Sequence, residues 1–116
     1  MFTQAFLNWP QRNFSAMQPG EKRVKSAALG DVIQLPDTTL VSPTVVISRQ
    51  DGLALTGSDM QIVGTPAMDG TGLIASVTLQ AGTNLTTYNL QYAANGNISG
   101  NPIIRTVGIA VLAAIG

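Results

Sequence analysis

The chain has no cysteine and no histidine, and its 116 residues include only six basic and six acidic ones. Without cysteine there is no disulfide framework, no thiolate nucleophile and no cysteine-based zinc site. Without histidine the commonest general base and the commonest metal ligand are gone. Charge balances to zero, whereas a dedicated nucleic-acid binder normally carries a net basic patch. Charged residues make up 10% of the chain, against about 25% in an ordinary soluble domain. Long apolar runs are also missing. The stretch 106–116 is apolar but short, and a membrane-spanning helix needs about 20 residues. The N-terminus has no basic region and no long apolar core, so no secretory leader is expected. The triplets at Asn13, Asn84 and Asn97 then read as coincidental glycosylation patterns.

What is present is uncharged polarity. Ser, Thr, Asn and Gln total 34, with 12 Gly besides. A hydrophobic share of 45% is too high for a disordered chain, and the length suits one domain. Zero net charge removes the repulsion that keeps a free monomer dispersed. A working life inside an assembly is expected.

Charge and aromatics concentrate before residue 36. Phe2, Phe6, Trp9 and Phe14 fall in the first 14 residues, and only Tyr88 and Tyr92 follow. The expected division is an extended N-terminal arm at residues 1–22 and a β-sandwich at residues 23–116. In the body, Leu73, Ala75, Val77 and Leu79 alternate with other residues, as do Tyr88, Leu90 and Tyr92, and Arg105, Val107, Ile109 and Val111. That period of two predicts half-buried strands. Val45 with Ile47 and Met60 with Ile62 form further runs. Turn signals separate them at Asp51-Gly52, Gly57-Ser58, Asp69 to Gly72, Ala81 to Asn84, Asn95-Gly96 and Gly100 to Pro102. No helix is predicted. The fold class is all-β, an immunoglobulin-like antiparallel sandwich of about seven strands. Tyr88, near the start of the penultimate strand, sits where such sandwiches place a tyrosine that closes a corner; the plainer reading is a strand aromatic packed on its neighbour.

A catalytic constellation is hard to assemble from these residues. All six acids lie beside turn residues, as in Asp51-Gly52 and Asp69-Gly70, where Asp bonds its own backbone and Gly takes positive φ. No alternate-acid calcium pattern occurs. Gly70-Thr71-Gly72 lacks the Lys and the helix of a phosphate cradle. Lys25-Ser26 would place its two side chains on opposite faces of an extended strand. The expectation is a protein that is not an enzyme and needs no cofactor, metal or small-molecule substrate.

The candidate partner contacts are Phe2, Phe6, Leu7, Trp9 and Phe14, with Lys22, Arg23 and Lys25. Aromatics anchor interfaces and cores alike, so the arm docks either on a neighbour or on its own body. The basic trio is either a small phosphate contact or a strand edge blunted by charge.

Trp9-Pro10, Pro19-Gly20-Glu21, Leu29-Gly30-Asp31 with Ile33, Leu79 to Thr83 ahead of Tyr88, and the closing Arg105 to Val111 form an ordered pattern. In this order and spacing the chain resembles the small fiber–tail adaptor proteins of tailed bacteriophages. More broadly, it resembles immunoglobulin-like accessory domains of phage virions. The resemblance implies a structural virion protein made in the host cytoplasm and placed at the tail or neck. It implies copies of itself in a ring, with ring proteins and fibers as partners, and no membrane or specific nucleic acid. A capsid decoration or adhesion module of the same fold is the alternative.

Overall fold

The computed structural model describes residues 14–112. Within these residues six strands form: β1 (Lys22–Ala28), β2 (Leu40–Arg49), β3 (Gln61–Met68), β4 (Ile74–Gln80), β5 (Thr87–Gly96) and β6 (Pro102–Ala110). Among the described residues, helix is limited to one 3-10 turn at Gly30–Val32. Two three-stranded antiparallel sheets run β1-β4-β3 and β2-β5-β6. This is a β-sandwich with the immunoglobulin pairing of its six later strands, B-E-D on one sheet and C-F-G on the other. Among the described residues a seventh strand is represented by one parallel bridge, Met17 beside Val111.

The central strands carry the core. β4 buries Ala75, Val77 and Leu79, and β5 buries Tyr88, Leu90, Tyr92 and Ala94. Each faces the other sheet while its alternate residues look outward, as a sheet with one packed face requires. Val107 and Ile109 of the last strand and Val111 just beyond it complete the core, and Met17 enters it from the N-terminal side. Each fully buried Val, Leu, Ile or Met side chain among these contributes about 1.5–3 kcal/mol.

Residues 14–17 are tied to the outer edge of β6. Phe14 N–H donates to Gly108 O at 2.9 Å, and Met17 N–H to Ala110 O at 3.0 Å. Leu112 N–H returns to Met17 O at 2.9 Å. The first strand stops at Ala28, and Leu29 is buried at its end. One boundary shifts from the sequence expectation. Asn95-Gly96 stays in β5, and the hairpin turns at residues 97–100, closed by Gly96 N–H to Asn101 O at 2.9 Å. Gly96 is needed there because a Cβ would lie 2.0 Å from Asp37 Oδ2.

Candidate functional site

Phe2, Phe6, Leu7 and Trp9 lie outside the described residues. Phe14 is half-buried against its own body. Its ring meets Tyr92 edge-on, with centroids 6.0 Å apart at 79°. The Lys25 ammonium sits 5.7 Å from the centroid of that ring and 3.5 Å from Ser15 O. Tyr92, buried, donates its hydroxyl proton to Lys25 O at 2.9 Å. Burial pushes its phenol well above the usual range.

The three basic side chains have different surroundings. Lys22 and Arg23 are exposed on β1, and Arg23 Nε bonds Glu21 Oε2 at 2.5 Å. Lys25 turns toward Phe14 instead. The Glu21 carboxyl is held below its ordinary value, first by the Gln18 N–H and then by Arg23.

Tyr88 occupies the corner position at the start of β5 and is fully buried. Its hydroxyl lies 2.7 Å from Asp59 Oδ1 and 2.6 Å from Asn84 Oδ1, so one proton has two acceptors. Met60 N–H donates to the same oxygen at 3.4 Å. The corner is thus closed largely through side chains, where the immunoglobulin pattern uses nearby backbone. Buried Asp59 also accepts from Thr56 N–H at 2.6 Å, from Asn84 Nδ2 at 2.6 Å and from Arg49 Nη1 at 3.3 Å. These donors, the Thr56 N–H foremost, hold its carboxyl down at about 2 against desolvation. The Tyr88 phenol is raised, chiefly by burial.

Asp37 does similar work at the opposite turn. It accepts from Ile98 N–H at 3.0 Å, Ser99 N–H at 2.7 Å and Ser99 Oγ at 2.5 Å, and these bonds lower its pKa, the Ser99 hydroxyl foremost. A hollow of about 210 Å³ lies beside it. Another of about 260 Å³ lies beside Asp59. Both carboxylates are depressed and already bonded, which makes them weak bases and poor acids at neutral pH. Among the described residues, no group of three or more acids could hold a metal ion, and no helix is long and apolar enough to cross a membrane.

The surface feature that the sequence pattern did not single out is a groove of about 440 Å³ between the edges of β2 and β3, which pair with no further strand among the described residues. Val45, Val46, Ile47, Leu55, Met60 and Ile62 line it. Its trace in the sequence is the unbroken Val45-Val46-Ile47 and Ile62-Val63. Both strands carry apolar residues on two faces where a solvated edge would carry them on one.

No family model matches the chain, and no curated protein matches it. A solved structure to which it is similar is a family 123 glycoside hydrolase from Clostridium perfringens, described as hydrolysing glycolipid glycans. Identity is 9% and the TM-score 0.48, over 98% of this chain and 25% of that one. The chain thus spans about a quarter of that enzyme's length, and a likeness of this size carries no argument about activity.

Proposed function

We propose that the protein is a structural subunit of a tailed-phage virion, an adaptor joining tail or neck ring proteins to fibers or to neighbouring subunits. The observation that carries this reading is the surface of the sandwich. From Gly52 to Ile104 the chain has only Asp59 and Asp69 as charged residues. Over the same stretch Leu53, Leu55, Val63, Leu85, Ile98 and Ile104 are exposed. Interface cores are depleted in charge, and burying an unpaired charge between subunits costs several kcal/mol. A surface of amides, hydroxyls and aliphatic groups packs between subunits without that cost. The sandwich then acts as a rigid block, and its contacts are made by the arm and by sheet edges through strand addition.

The test is mass spectrometry of particles purified from an infected culture that expresses the chain. The reading expects the chain in stoichiometric, multiple copies per particle. A chain confined to the soluble lysate overturns it.

A further inference from the structure

The edges of the two sheets are guarded unequally. β1 carries Lys22, Arg23 and Lys25. β2 has Ser42 at φ 56 followed by Pro43, within a register shift between Val41 and Thr44. β3 has Gly64 at φ 81 and Pro66, within a shift between Val63 and Ala67. β6 opens on Pro102, and residues 14–17 cover its far half. Charge, proline and bulges are the usual blocks to pairing at an edge. The stretch of β2 from Val45 to Ile47, facing Gln61 and Ile62 of β3, has none of them. It is also where the groove lies, and no charged side chain among the described residues lines it. Val46 is 56% exposed and Leu55 44%. Gln50 N–H donates to Thr87 O. Ladder alternation therefore turns the backbone groups of Val45 and Ile47 away from β5, toward the open edge.

We propose that this groove accepts residues 1–11 of a second copy of the chain by strand addition. The inference rests on reading the protein as an assembly subunit. Two observations select this occupant. Residues 1–11 hold Phe2, Phe6, Leu7 and Trp9 and no charged side chain, which suits an uncharged apolar groove. The place where the described chain begins is the second. Phe14 is fixed beside Gly108 on β6, while β2 is the opposite edge of that sheet, with β5 between. Phe14 therefore lies on the edge away from the groove. Seating residues 1–11 leaves two residues to span from Phe14, about 10 Å when extended, too short to carry the segment round the sandwich to its own groove. Leu7 and Trp9, two apart, fall on one face of an added strand, and Pro10 ends the pairing because it has no N–H. Donor and acceptor lie on different edges, so the contact is heterologous and repeats into a ring or a filament.

The test is sedimentation of the full-length protein with two variants. Phe6→Asp/Trp9→Asp removes the donor, and Val46→Glu blocks the acceptor. The wild type is expected to self-associate. Each variant alone is expected to be monomeric, with association weakened about thirtyfold or more, the scale of losing an aromatic anchor. Mixing the two variants should restore a 1:1 dimer, because each supplies one intact half. Thermal melts by circular dichroism check folding, and Leu55→Lys replaces Val46→Glu if that variant melts early. A wild type that stays monomeric, self-association that survives either variant, or a mixture that fails to pair overturns the proposal. Absence of the chain from virions would overturn the functional reading and leave this measurement standing. Presence in virions with no pairing here would overturn the groove assignment alone.

Discussion

The Tyr88 hydroxyl lies 2.7 Å from Oδ1 of buried Asp59, across 29 residues of chain. The bond fastens the start of β5 to the segment leading into β3, and so one sheet to the other. Arg49, at the end of β2, reaches the same carboxylate. A hydrogen bond to a charged group contributes about 1.5–3 kcal/mol. Tyr88→Phe is therefore expected to cost about 2 kcal/mol. In a domain of this size that lowers the melting temperature by about 10 °C. Thermal unfolding followed by circular dichroism measures it, and a melt equal to wild type would show that the hydroxyl contributes nothing.

Acid should weaken the fold. The Asp59 carboxyl is held at about 2 in the native state against 3.8 ordinarily. Glu21, Asp37, Asp51 and Asp69 are lowered as well. A depressed carboxylate contributes stability that is fully present above its unfolded pKa and is lost as pH falls through the folded one. Denaturant midpoints should hold steady from pH 7 to about 5 and fall steadily from about 4 to 2. Asp59→Asn should begin lower at pH 7 and lose less over that window. An identical acid slope in wild type and variant would remove Asp59 from the account.

The inner strands and the last strand were legible in the sequence, and the edges at β2 and β3 were legible only in part. Ala75, Val77 and Leu79 on β4 and Tyr88, Leu90 and Tyr92 on β5 keep strict alternation, because each strand has neighbours on both sides and one packed face. On β2 and β3 the bulges break the period of two, and Val46 puts an apolar side chain on the outer face. The buried acid shows the same limit. Asp59 reads as a turn residue beside Ser58, and locally it is one, since its carboxylate caps Thr56. Its distant partners, Tyr88, Asn84 and Arg49, come from elsewhere in the chain, and only the fold brings them together.

Two glycines separate close packing from simple chain freedom. At Gly96 a Cβ would lie 2.0 Å from Asp37 Oδ2, whose carboxylate holds the 97–100 turn. Gly96→Ala is expected to cost about 1–3 kcal/mol, the range for overpacking. At Gly70 nothing lies within 4 Å of that position and φ is not positive. Gly70→Ala is expected to be neutral or to stabilise by about 0.4–1 kcal/mol through the unfolded chain. Chemical denaturation of the pair tests the contrast, and equal effects at both sites would refute the packing argument.

Truncation should locate where the arm ends and the body begins. Met17 is fully buried, and its backbone bonds Ala110 and Leu112. Phe14 packs on Tyr92 and bonds Gly108. Removing residues 1–13 spares all of these contacts, so the sandwich should keep a cooperative thermal transition. Removing residues 1–17 strips the outer edge of β6 and leaves a hole where Met17 packed. Loss of a buried methionine side chain alone costs about 2–5 kcal/mol, so that protein should melt at least about 10 °C lower. Calorimetry on the two truncations distinguishes the cases. If both melt alike, residues 14–17 belong to the arm and contribute nothing to the sandwich. If only the longer truncation collapses, the body begins at Phe14, eight residues before β1.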